Sequence, residues 1–143
     1  MSSRRDRFNQ KDIFYMSLAL NLARQRKGLT GSNPSVGCVI VKNDKIISYG
    51  QTGISGYPHA EYNAIKNCKY NLKNSSLYVS LEPCSHYGKT PPCTNQIIKS
   101  KIKKVYFSVN DIDIRSSKKA HNILSKKKII VKKFLLKKES IKF

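Results

Sequence analysis

Between Lys11 and Arg26 apolar residues recur at a helical period, which sets Ile13, Met16, Leu20 and Ala23 on one face. Asn9 is suited to cap that helix and Gly28 to stop it. The pattern then changes. Val36–Val41 is an unbroken apolar run of the kind that fills a buried strand, Asn43-Asp44 form a turn, and Lys45–Tyr49 return as a second strand, predicting a hairpin. A glycine-containing loop, Gly50–Tyr57, follows. Proline suits a first helical turn, so a helix is predicted from near Pro58 to about Cys68, with His59 and Glu61 at its N-terminus. Ser76–Leu81 reads as a third strand leading straight into Glu82-Pro83-Cys84. Pro91-Pro92 open a helix to about Lys99, Lys104–Val109 form a fourth strand, and a helix near Ser117–Ser125 precedes a fifth, Ile129–Lys133. The tail from Leu135 is compatible with packing or fraying. A helix, a hairpin and then alternating helices and strands describe an α/β layered domain with one mixed sheet.

The 143 residues suit one domain, spanning 1–143 with its core at about 10–133, and contain no repeat or linker. The net charge of +20 changes the picture more than the length does. Lys126-Lys127-Lys128, Lys132-Lys133 and Lys137-Lys138 crowd the last third. One reading is a nucleic-acid footprint; the other is a lysine-rich solvated surface. Aromatics do not alternate with the lysines as they do in single-strand binders, which favours the second and makes nucleic acid the weaker expectation. A positive field still attracts a small phosphorylated substrate. Ile13–Ala23 is amphipathic and too short to span a bilayer, and the N-terminus carries no signal-peptide pattern. The expectation is a cytoplasmic enzyme without a membrane partner, its cysteines reduced, with Cys38 and Cys68 in the core.

The remaining two cysteines carry chemistry. Cys84 and Cys93, with His59, offer three ligands for a tetrahedral zinc and leave a fourth position for water. Glu61, two residues from the imidazole, is placed to move protons without being a ligand. His-x-Glu followed by Pro-Cys and a later Cys is the signature of zinc-dependent nucleobase deaminases. His86 competes for a ligand position; His59 and two thiolates already complete an open site. Eight residues separate the two cysteines, where two is the familiar number.

That long motif, Glu82-Pro83-Cys84-Ser85-His86-Tyr87-Gly88-Lys89-Thr90-Pro91-Pro92-Cys93, resembles the zinc motif of the riboflavin-pathway pyrimidine deaminases. Ser32-Asn33-Pro34, the run from Val36 to Val41, and His59-Ala60-Glu61 match as well, so the resemblance covers roughly Phe14 to Val131. It implies a cytidine deaminase-like three-layer α/β/α sandwich with a five-stranded mixed sheet. It also implies one zinc per chain, held by His59, Cys84 and Cys93, with Glu61 as proton shuttle. The implied reaction is hydrolytic loss of the 2-amino group of 2,5-diamino-6-ribosylamino-4(3H)-pyrimidinone 5′-phosphate. Asn33 would contact the pyrimidine, His86, Lys89 and Thr90 would hold the ribose phosphate, and Asp111 and Asp113 would line the substrate site. In that family the deaminase is the N-terminal half of a bifunctional deaminase–reductase. A separate reductase is therefore an expected pathway partner, and a homo-oligomer is compatible with the family.

Three positions depart from the family pattern. Thr52 stands where a His is usual, seven residues before His59. Asp111-Ile112-Asp113-Ile114 replaces Asp-Pro-Asn-Pro, and Lys118 to Ala120 replace glycines. Zinc chemistry is untouched by these changes, whereas substrate contacts are not. Two alternatives remain at this point: a tRNA or other nucleic-acid deaminase, and a basic nucleic-acid-binding protein with a structural zinc. His86, Lys89 and Thr90 in the inter-cysteine loop suit a mononucleotide and would be superfluous in a structural site.

Overall fold

A five-stranded sheet in the order β2-β1-β3-β4-β5 organises the computed structural model, which describes residues 8–111 and 113–141. The strands are β1 (Gly37–Lys42), β2 (Lys45–Gln51), β3 (Ser76–Leu81), β4 (Lys104–Val109) and β5 (Ile130–Lys133). Helix α1 (Gln10–Gln25) covers one face, and α2 (Ala60–Asn67), α3 (Cys93–Lys99) and α4 (Ala120–Lys126) cover the other. A short α5 (Lys137–Ile141) packs near β4. This is the expected α/β/α arrangement, and the sheet is mixed: β1 runs antiparallel to β2 and β3, while β3–β4 and β4–β5 are parallel.

Strand β1 lies between two strands and two layers, and it is buried from Gly37 to Val41, as a continuous apolar run requires. The β1–β2 connection is a two-residue turn in which Asn43 (φ 52°) and Asp44 (φ 62°) are both left-handed. That is the turn whose twist matches a hairpin, and Asn and Asp tolerate the conformation best among non-glycines. Gly37 is needed for a different reason. A Cβ there would collide with the backbone carbonyl of Ala19, so α1 lies directly on β1.

The buried stripe of α1 is Asp12, Tyr15, Met16, Ala19, Leu20 and Ala23. Ile13, expected on this face, is 41% exposed, because the sheet contacts the helix one step round from it. Asn9 caps α1 as expected: its Oδ1 accepts the Asp12 N–H at 2.8 Å, and Asp12 Oδ2 accepts the Asn9 N–H at 3.1 Å. Asp12 Oδ1 also accepts the Tyr78 hydroxyl at 2.6 Å. Tyr78 in turn stacks on Tyr106 with ring centroids 4.3 Å apart. Other boundaries differ slightly from those predicted. Pro58 lies before α2 rather than in its first turn, since His59 keeps an extended ψ of 158° and Ala60 is the first helical residue. Helix α4 begins at Ala120, after a turn in which Lys118 is left-handed (φ 64°). Cys38 is fully buried, but Cys68 is only half-buried at the end of α2, its Sγ 3.4 Å from the Tyr70 carbonyl. The tail does pack: Leu135 is 2% exposed and joins the α1 side of the core. Met1–Arg7, Ile112, Lys142 and Phe143 lie outside the described residues, as does that part of the expected 1–143 domain.

The mixed sheet decides where a site can form. Pairing of Gly37 with Gln51, Cys38 with Val79 and Leu81 with Val109 brings the start of β1 and the ends of β2, β3 and β4 to one edge. The segments following β3 and β4, with those flanking the hairpin, meet there. Chemistry placed at that edge has rigid strands behind it.

Candidate active site

His59, Cys84 and Cys93 converge at this edge. His59 is the cap residue of α2, Cys84 follows the end of β3, and Cys93 is the first residue of α3. Their donor atoms all lie within 4.8 Å of one another, and this is the group of described residues able to hold a metal ion. His59 Nδ1 is 3.6 Å from Cys84 Sγ and 3.5 Å from Cys93 Sγ. A tetrahedral zinc with ordinary Zn–N and Zn–S bonds separates its N and S ligands by about 3.55 Å. The donors are therefore spaced for zinc, with Nδ1 rather than Nε2 as the imidazole ligand. The thiols are prepared electrostatically too. Hydrogen bonding from the Cys93 thiol pulls Cys84 down to about 4, against its burial, helped by His59 and by the Cys93 N–H. That N–H lies 3.2 Å from Cys84 Sγ, at the start of a helix. Cys93, giving its proton to Cys84 and buried, is pushed up correspondingly.

Glu61, in the first turn of α2, is 4% exposed. Burial first, and the Cys84 charge second, raise its carboxyl to about 7, partly opposed by His59. A carboxyl that exchanges its proton near neutrality is what a general acid–base needs. Tyr57 stacks on the His59 ring, 5.3 Å between centroids and 17° from parallel, and Lys89 Nζ sits 5.0 Å over the Tyr57 ring. Lys89 and Thr90 are otherwise exposed in the inter-cysteine loop, where the Thr90 carbonyl accepts the Gly88 N–H. Asn33, half-buried before β1, donates Nδ2 to the Gly56 carbonyl at 3.0 Å, which directs its Oδ1 to other uses. The glycine at 56 matters here, with φ at 108° and a Cβ excluded by Asn33 and the Thr30 carbonyl.

The departures from the family pattern have physical outcomes. Thr52 is buried, and its Oγ1 accepts the Val36 N–H at 2.9 Å and donates to the Pro34 carbonyl at 3.2 Å. It ties β2 to the start of β1 rather than offering a group to a ligand. Asp113 is not a bare acid: Arg115 chelates it at 3.1 and 2.7 Å and donates its own N–H at 3.0 Å. Those bonds hold Asp113 well below the usual carboxylate range. Asp111 Oδ1 accepts the Asp113 N–H at 3.0 Å, while burial raises its carboxyl. Ile112 of this turn lies outside the described residues.

Several residues emerge only in three dimensions. Glu82, 2% exposed, accepts three backbone N–H groups, those of Asp111 at 2.9 Å, Lys118 at 3.0 Å and Ala120 at 3.0 Å. It thus binds the 111–120 segment to the strand end that carries Cys84. An acid ending an apolar strand is the signal in the sequence; its partners, about 30 positions away, are not visible there. Ser116 and Arg115 belong to that segment and lack any local signature.

Known proteins supply an independent comparison. Residues 9–109 match the family described as the cytidine and deoxycytidylate deaminase zinc-binding region. Over 133 residues the chain is 46% identical to the diaminohydroxyphosphoribosylamino-pyrimidine deaminase of Buchnera aphidicola from Schizaphis graminum, covering 93% of this chain and 90% of that one. It is 50% identical over 100 residues to the riboflavin biosynthesis protein RibD of Aquifex aeolicus, covering 70% of this chain but 28% of that protein. Among solved structures, Acinetobacter baumannii RibD superposes with a TM-score of 0.88 at 36% identity, over 93% of this chain and 37% of that one. No helix among the described residues is long and apolar enough to cross a membrane.

Proposed function

The chain belongs to the cytidine and deoxycytidylate deaminase family, and on that premise we propose that it deaminates 2,5-diamino-6-ribosylamino-4(3H)-pyrimidinone 5′-phosphate by hydrolysis. The products are 5-amino-6-(5-phosphoribosylamino)uracil and ammonia, an early step of riboflavin biosynthesis. The observation that carries the reading is the His59, Cys84 and Cys93 donor set, spaced for zinc, with the buried Glu61 beside it. Zinc bound there supplies the Lewis acidity that makes water a nucleophile near neutral pH.

The chain's own residues do the rest. Glu61 takes one proton from the attacking water and gives it to a ring nitrogen, then takes the proton of the hydroxyl group so formed and gives it to the departing amine, so that its carboxyl ends as it began. Its pKa of about 7 lets both transfers proceed with little penalty. Asn33 presents Oδ1 as an acceptor for the pyrimidine, its Nδ2 being held by Gly56. Lys89 is a point charge for the phosphate, held at the mouth by the Tyr57 ring, and His86 and Thr90 lie on the same loop. Asp111 and Asp113 lie beside that loop and would line the substrate site, with Arg115 neutralising Asp113. A reductase acting on the product is the partner this chemistry calls for.

The test is to offer the zinc-loaded protein the diaminopyrimidinone nucleotide and tRNA side by side and measure ammonia. Release from the nucleotide is expected. Release from tRNA alone would overturn the substrate assignment.

A further inference from the structure

The two ring nitrogens of His86 meet different surroundings. Nδ1 is 2.5 Å from Ser116 Oγ. Nε2 has Asp113 Oδ2 at 3.8 Å, beyond hydrogen-bond reach, and that carboxylate is already engaged by Arg115. Ser116 is fully buried, and its Oγ also accepts the Ser85 N–H at 2.9 Å. A hydroxyl has one proton to give. Among the described residues, Nδ1 is the acceptor that stands within reach of it. Were Nδ1 to carry a hydrogen, two N–H donors would converge on one buried oxygen, and the hydroxyl proton would have no partner among the described residues, a cost buried polar groups avoid. The neutral ring must then carry its hydrogen on Nε2.

We infer that Ser116 is a positioning residue: it fixes the orientation and tautomer of His86 so that Nε2–H is offered as a donor to an oxygen of the substrate. The buried side of the ring is closed by Ser116, the other side is left with a donor and no acceptor in range among the described residues, and an anionic or hydroxyl oxygen is what such a donor takes. Ser116 also holds Ser85, so one hydroxyl sets both the loop backbone and the ring it displays. The identity of the oxygen as a substrate's rests on the function proposed above. The tautomer does not.

Two measurements on the zinc-loaded full chain test this. The first is nitrogen NMR of the ¹⁵N-histidine protein, with the pH raised until the His86 signals no longer change. His86 is expected to show an unprotonated Nδ1 and a protonated Nε2, and the opposite tautomer would overturn the inference whatever the kinetics. The second is Ser116→Ala, with zinc content measured to establish that the fold persists. The variant should give a mixed tautomer signal and a KM raised about tenfold, the loss of one ordinary hydrogen bond, with kcat within about twofold. A variant that keeps both the tautomer and the KM would refute the role of Ser116. If the unaltered protein shows the expected tautomer but releases no ammonia from the nucleotide, the proposed reaction fails while the assignment of the ring stands.

Discussion

Replacing Glu82 should unfasten the 111–120 segment from the strand end that carries Cys84, and its cost can be worked from the hydrogen bonds. The carboxylate accepts the N–H groups of Asp111 and Lys118 on Oε1 and that of Ala120 on Oε2. Each bond to a charged group contributes about 1.5–3 kcal/mol net. Simple addition overshoots, because in Glu82→Ala the freed segment opens to water and recovers part of the loss. We expect Glu82→Ala to lose about 3–5 kcal/mol and Glu82→Gln about 1–3 kcal/mol, since the amide keeps one acceptor and turns a donor toward a donor. For a domain whose whole stability is of order 5–15 kcal/mol, the first change is severe. The assay is urea unfolding at 25 °C with zinc in excess, so that metal dissociation does not enter the comparison. With an m-value of about 2 kcal/mol/M, Glu82→Ala lowers the midpoint by roughly 2 M. Exposed Glu139 is the control, and its change to Gln should fall within about 0.5 kcal/mol. If Glu82→Ala stays within 1 kcal/mol of the parent, or if Ala and Gln cost the same, the three-bond anchor is wrong.

Three further outcomes are expected. Elemental analysis should find about one zinc per chain, and Ala at His59, Cys84 or Cys93 should each reduce it sharply; full metal content in any of the three would remove that residue from the ligand set. Glu61→Gln should retain zinc while ammonia release falls by about 10²–10⁴-fold, and undiminished turnover would assign the proton transfers elsewhere. Gly37→Ala should destabilise by about 3 kcal/mol in the same urea assay, because the new methyl meets the backbone of α1 rather than a side chain that can move; a neutral change would mean α1 does not rest on β1 as described.

Residue types and spacing made the grouping of His59, Cys84 and Cys93 and the alternation of helices and strands legible before any coordinates. Strong local signals lie behind these: an apolar run for β1, Asn43-Asp44 for the turn, and a cysteine directly after Pro91-Pro92 at the start of a helix. The parts that were hidden are those whose meaning depends on distant partners. Ile13 looks like a core residue because periodicity locates a stripe only to within one position, and the sheet chose Tyr15 and Ala19 instead. Thr52 and Asp113 look like defects in a substrate site until Val36 and Arg115 are seen beside them. Ser116 carries no signal, since a serine in a lysine-rich turn is ordinary until a histidine 30 positions earlier rests on it.

The carboxylate of Asp12 serves the start of α1 and the hydroxyl of Tyr78 at once. First turns of helices ordinarily fray, opening and closing independently of the body they belong to. Here the group that closes the turn is also the group that docks it onto β3, so the turn cannot open without parting from the sheet. The helix and the sheet therefore share one opening equilibrium at this end. Amide hydrogens at the start of α1 should exchange with solvent at the slow pace of the whole domain rather than at the pace of a helix end.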